Sequence, residues 1–203
     1  MKGERKMAAV ASKGRYFSTI DLLTMAAIAV VGAILSSFLW PALMNVATPV
    51  FAFLGPIGWI AVSGVYVITP VLVGLLIGRA GATTIYGVVQ GFVEMLFGNS
   101  FGAMAMVYAG LEGFGVDVGM GIFRWKGGLP AALVGGGLGS LFVDEVYIFL
   151  FGLQSAYTVT VGGITAFISG AILGGLVAWL IAQALYRTGV VSKVGLRGYE
   201  EIK

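Results

Sequence analysis

Residues 57–77 read IGWIAVSGVYVITPVLVGLLI, without one charged side chain. A helix that crosses a bilayer needs about 20 mostly apolar residues, and this run supplies them. Working outward from it, five other stretches share its character. The predicted spans are Ile20–Trp40, Ile57–Ile77, Ala82–Phe97, Ala103–Phe123, Leu129–Phe151 and Gly162–Tyr186. Composition agrees: the 203 residues are 59% hydrophobic and 10% charged, with a mean hydropathy of +0.99, where a soluble domain carries about 25% charged residues. The expected fold is all-α, an integral bundle of six transmembrane helices in the cell membrane. Glycine, at 33 residues, is in large excess, as suits helices that approach closely in lipid. The patches Gly135-Gly136-Gly137 and Gly162-Gly163 read as packing surfaces. The segment Pro41–Pro56 carries three prolines and reads as a loop or partial helix at the membrane surface.

Charge sets the expected orientation. Lys2, Arg5, Lys6, Lys13 and Arg15 precede the first span, and that span is too long for a cleaved signal peptide. Arg79 lies between spans two and three, Arg124 and Lys126 between spans four and five, and Arg187, Lys193, Arg197 and Lys203 after span six. The alternate loops, Pro41–Pro56, Gly98–Gly102 and Gly152–Val161, carry no charge. Positive loops stay cytoplasmic, so both termini are expected inside the cell. The domains expected are a basic cytoplasmic segment (1–19), a six-helix substrate-binding domain (20–186) and a polar cytoplasmic tail (187–203).

The chain has no Cys and no His. Thiol nucleophiles, imidazole bases and Cys/His zinc sites are excluded together, and no enzyme activity is expected. There is no Gly-x-x-x-x-Gly-Lys-Ser/Thr loop to bind ATP. No cofactor is expected in this chain, no nucleic-acid partner, and no metal site.

Against this apolar background stand Glu94, Glu112, Asp117, Asp144 and Glu145, with no basic side chain among them. A carboxylate at mid-bilayer costs about 2.5–3.5 kcal/mol, so five unpaired ones would cost about 12–18 kcal/mol. That exceeds the stability of a typical domain, about 5–15 kcal/mol. Protonation, water in a cavity or an external cation must offset it, and the last option makes a binding site for a cationic solute. Helix rise puts Glu94 about 5 Å, Asp144 about 10 Å and Glu112 about 13 Å below the outer face, with Asp117 about 21 Å deep. Asp117 is within reach of Arg79 or Arg124 as a structural pair. Residues four apart share a helix face. Tyr86, Gln90 and Glu94 therefore form one stripe, Tyr108 and Glu112 a second, and Asp144 with Tyr147 a third. Carboxylates mixed with aromatic and amide groups suit a flat, cationic, hydrogen-bonding ligand. Phe51, Phe53, Trp59 and Phe101 near the outer boundary read as an interfacial belt or as a lid. Ala29 and Ala33 make a smooth face on the first span, for packing within the bundle or for docking a separate subunit; for Ser169, Gly170, Gly174 and Gly175 the reading is packing within the bundle.

The run Gly91-Phe-Val-Glu-Met-Leu-Phe-Gly-Asn99, then Glu112-Gly113, Arg124-Trp125-Lys126, Ile168-Ser-Gly-Ala-Ile-Leu-Gly-Gly175 and Arg187-Thr-Gly-Val190 resembles the YkoE-type substrate-binding (S) components of energy-coupling-factor vitamin transporters. The resemblance implies a six-helix subunit that binds thiamine or its hydroxymethylpyrimidine moiety from outside. It implies a transmembrane coupling (T) subunit and two cytoplasmic ATPases as partners, with ATP used by those partners. It also brings Asn99 into the predicted polar shell and makes Ala29 and Ala33 the docking face for the coupling subunit. One departure is Glu112, where the family pattern has Gln before Gly. The family's historical label mentions cobalt, which a chain without His and Cys is poorly equipped to hold. The rival reading is a stand-alone proton- or cation-coupled carrier, since proton relays also use intramembrane carboxylates.

Overall fold

The computed structural model describes residues 16–55, 57–189 and 191. They form six helices: α1 (Thr19–Val50), α2 (Ile57–Ile77), α3 (Ala82–Leu96), α4 (Met104–Ile122), α5 (Leu129–Leu150) and α6 (Ala156–Arg187). Among the described residues there is no strand. Helices α1, α2, α5 and α6 are long and apolar enough to cross a membrane. Helix α3, at 15 residues, spans only about 22 Å. Most of the basic residues expected outside the bundle, Lys2 to Arg15 and Lys193 to Lys203, lie outside the described residues.

Helix α2 is the hub. Every residue from Ile68 to Ile77 is buried, and α1, α3, α4, α5 and α6 all pack against α2. Around it the neighbours run α1–α3–α4–α5–α6. Small residues set these distances. A Cβ at Gly87 would collide with the carbonyl of Ala109, and one at Gly113 with the carbonyl of Thr83, so α3 and α4 lie backbone to backbone. Gly136 meets Gly170 and Gly175 in the same way across α5 and α6, as the packing reading of those patches expects. The outward faces of α1 and α6 carry large exposed apolar side chains such as Leu23, Val31, Ile164 and Ile172, which is a lipid-facing surface for a multi-pass membrane protein.

The helix ends explain where the sequence reading was corrected. Helix α1 does not stop at Trp40 but continues to Val50. Its backbone widens into a π turn at Leu35–Leu39, immediately before Pro41, and Pro lacks the N–H that a regular turn would require there. Helix α6 starts at Ala156, inside the stretch read as an outer loop, because Ser155 caps it: the Ser155 hydroxyl accepts from the Thr158 N–H at 3.0 Å. Two more irregular turns, Gly64–Val67 in α2 and Gly170–Leu176 in α6, leave their helices continuous. They meet at Ser169, whose hydroxyl accepts from Gly64 N–H and donates to the Ala61 carbonyl, both at 3.0 Å.

Ala29 and Ala33 are fully buried on the face of α1 that packs on α2 and α3. The smooth face is filled within the chain, which corrects its reading as a docking surface. A sixth acid, Asp21, lies in the first span and was missing from the tally of intramembrane carboxylates. It closes a capping box with Ser18, at 2.9 and 3.1 Å, and pairs with Arg79 at 3.3 Å. Asp117 pairs with neither Arg79 nor Arg124. Its Oδ2 accepts from the N–H and the hydroxyl of Thr84, at 2.9 and 2.5 Å, and so caps α3, whose own cap residue Gly81 has no side chain to offer.

Candidate functional site

The uncharged loops gather at one end of the bundle, and a cavity of about 320 Å³ opens there. Five helices line it, α1 to α5.

Glu94 stands one turn before the end of α3, and that end is folded back to hold it. Gly98 takes a left-handed conformation (φ 76°), which only glycine adopts at little cost. The Gly98 N–H bonds the Met95 carbonyl and the Asn99 N–H reaches the Glu94 carbonyl, both at 3.1 Å; this is a Schellman closure. It returns the Asn99 side chain to its own helix, where Nδ2 donates to Glu94 Oε2 at 3.4 Å. The other carboxylate oxygen accepts from Gln90 Nε2 at 2.7 Å. The spacing of Glu94, Gly98 and Asn99 is therefore the geometry of one helix terminus.

Asp144 of α5 is held in a similar way. Ser63 of α2 and Ser140 donate to its Oδ2 at 2.7 and 3.1 Å. Glu112 of α4 differs. It is 8% exposed and lines the cavity, yet among the described residues no side chain or backbone group hydrogen-bonds its carboxylate. Aromatic faces complete the wall. Trp59 and Tyr147 stack with centroids 5.1 Å apart and planes 14° apart. Phe101 meets Tyr108 edge-on at 5.2 Å, and Phe38 of α1 approaches Phe97 at 6.2 Å.

Of the eight predicted site residues, Glu94, Asn99, Tyr108, Glu112, Asp144 and Tyr147 line the cavity. Gln90 and Tyr86 do not: both are fully buried behind Glu94, which corrects their reading as direct contacts. Trp59 and Phe101, left open between belt and lid, are part of the lining. Phe53 is 81% exposed, as an interfacial residue should be. Glu145 turns away from the cavity to the α6 seam, where a Cβ at Gly163 would stand 2.6 Å from its Oε1. The reading missed Ser36 and Ser37 of α1 and Ser63 and Tyr66 of α2. Trp59, Ser63 and Tyr66 follow the i, i+4, i+7 spacing of one helix face, a pattern legible within residues 57–77. Among the described residues, no three His, Cys, Asp or Glu side chains converge to hold a metal ion.

Residues 20–142, more than half of the chain, match the family model described as the permease component of an ABC-type cobalt transport system. The chain belongs to this family. A Bacillus subtilis (strain 168) relative that carries the provisional name HMP/thiamine permease protein YkoE is 27% identical over 179 residues, covering 87% of this chain and 88% of that one. A crystal structure described as an S-component of an ECF transporter superposes with a TM-score of 0.74 at 25% identity, covering 88% of this chain and 90% of the other. The chain thus has the S-component fold over nearly its whole length, is a YkoE-type S component of a multi-pass membrane transporter, and is not an enzyme.

Proposed function

We infer that this S component captures thiamine, or the hydroxymethylpyrimidine related to it, in the cavity lined by Glu94, Glu112 and Asp144. The observation that carries the reading is Glu112, a buried carboxylate without a hydrogen-bond or ion-pair partner among the described residues, which faces an aromatic-walled space. A buried charge demands a counter-charge or donors, and this one lines a cavity of about 320 Å³. Pockets for small molecules typically measure about 300–1,000 Å³, and this cavity lies at the lower end of that range. Thiamine carries a permanent cation and an aminopyrimidine. The cation is matched by Glu112 and by the aromatic wall at Trp59; the amine and ring nitrogens are matched by Glu94, Asn99 and Asp144. Three acids around one space favour the cationic vitamin over its neutral pyrimidine fragment. They also favour an organic cation over the metal of the family's description, since the three do not converge on one point.

On this reading the termini are cytoplasmic and the cavity faces outward. Arg79, Arg124, Lys126 and Arg187 all lie at the end of the bundle opposite the cavity, which is the positive-inside pattern. Residues 20–186 are the membrane domain, with polar cytoplasmic segments on either side. ATP hydrolysis falls to two ATPase subunits joined through a T subunit, and the docking surface for that subunit is sought on the lipid-facing side of α1, not at Ala29 and Ala33. The test is mass spectrometry of small molecules that co-purify, followed by titration with thiamine and with hydroxymethylpyrimidine. Tight thiamine binding, with little transport in liposomes until the partner subunits are added, supports the reading. Transport by the chain alone that follows a pH or sodium gradient replaces it with a secondary carrier.

A further inference from the structure

Gln90 lies outside the cavity, is 1% exposed, and has every hydrogen-bonding valence filled. Its Nε2 donates to Ser36 Oγ of α1 at 3.1 Å and to Glu94 Oε1 at 2.7 Å. Its Oε1 accepts from the Tyr86 hydroxyl and, at 3.3 Å, from Thr69 Oγ1 of α2. An ionised carboxylate only accepts, so the amide must turn its NH₂ to Glu94 and its oxygen to the two hydroxyls. The Tyr86 and Thr69 hydroxyls then donate to the amide oxygen, and one amide N–H donates onward to Glu94 while the other goes to Ser36. Three helices converge on one amide, and the sequence makes room for it. A Cβ at Gly32 would overlap the Tyr86 hydroxyl and Gln90 Oε1, and Gly32 sits between Ala29 and Ala33 on the buried face of α1. The small-residue stripe of α1 is the seat of this network.

We propose that Gln90 is a positioning residue for the binding site. Oriented by Tyr86 and Thr69 and seated against Gly32 and Ser36, it fixes the rotamer of Glu94 and supplies the donor that holds the carboxylate facing the cavity. It touches no ligand and acts only through Glu94. This rests on the proposed role of Glu94 in binding an aminopyrimidine cation, and the experiment separates the two.

The full-length chain, purified in detergent or nanodiscs, is titrated with thiamine as wild type, Gln90→Met, Glu94→Ala and the double variant. Gln90→Met keeps the length of the side chain and removes its polarity. The expected loss is about tenfold for each single variant, or about 1.4 kcal/mol, and no more than about threefold beyond Glu94→Ala for the double. A merely structural Gln90 would instead give additive losses, about a hundredfold together, and that result overturns the proposal. An unchanged affinity in Glu94→Ala overturns the site reading itself, and the proposal with it. Should Gln90→Met fail to fold, Thr69→Val removes one of the two hydroxyls that orient the amide. It should weaken thiamine binding about threefold in the wild-type background and leave it unchanged beside Glu94→Ala; an equal loss in both backgrounds overturns the proposal.

Discussion

The two ends of this bundle treat buried acids in opposite ways. At the end of the charged loops, Asp21 has an arginine and a helix terminus, and Asp117 has the N–H and hydroxyl of Thr84. Asp21 is compensated by a charge of the protein itself, and Asp117 in part, since its Oδ1 is buried without a hydrogen-bond partner among the described residues. At the cavity end no cation among the described residues pairs with the acids. Glu94 and Asp144 receive neutral donors, and Glu112 receives nothing from the described residues. The residue type and the membrane setting are the same, so the partner decides the role. An acid closed by its own protein holds the fold, and an acid left open to a cavity is available to a solute.

Four substitutions press on that contrast. The largest effect is expected for Arg79→Met, which leaves Asp21 with its Ser18 cap but no counter-charge. Breaking a buried ion pair by removing one partner costs about 3–5 kcal/mol. Thermal unfolding should show that loss while the folded fraction binds thiamine with unchanged affinity; a large change in affinity would erase the distinction between the two ends. Glu112→Gln should do the reverse. Thiamine binding should weaken at least tenfold, about 1.4 kcal/mol, with the melting temperature unchanged or raised, because no hydrogen bond or ion pair with the described residues is lost. A falling melting temperature at constant affinity would make Glu112 structural. Asp117→Ala removes a helix cap and should cost about 1 kcal/mol of stability, with the thiamine titration superimposable on wild type. The smallest change is expected from Trp59→Leu. It loses a cation–π face worth about 0.5–1 kcal/mol, read as a two- to fivefold weaker affinity for thiamine and a smaller change for hydroxymethylpyrimidine, which lacks the permanent cation. Equal losses for both would mean that Trp59 contacts the pyrimidine instead.

The spans were legible because lipid demands long apolar runs, and α2 begins and ends at the residues read from the sequence, Ile57 and Ile77. The errors fell where a local device outweighs composition. The π turn before Pro41 carries α1 onward, and Ser155 starts α6 a turn and a half early. The acids were legible as residues out of place, but their surroundings were not. Helical spacing puts Tyr86, Gln90 and Glu94 on one face without saying that α1 fills the space beside the first two. In the same way, a stripe of Ala29, Gly32 and Ala33 announces a close neighbour but not which one, and the neighbour is α3 of the same chain. The contribution of α2 to the pocket went unread because Ser63 and Tyr66 are ordinary in a membrane helix taken singly.

From Ile68 to Ile77, α2 has no side exposed to the bilayer. When a membrane thickens or thins, the helices in contact with it tilt to keep their apolar length covered, but this one has no surface on which the acyl chains can act. Trp59, Ser63 and Tyr66 stand on the turns of α2 just before that stretch, whereas Glu94, Glu112 and Asp144 stand on helices with large exposed apolar side chains. A change in bilayer thickness would therefore reach the proposed site through α3, α4 and α5 before it reached the core of α2.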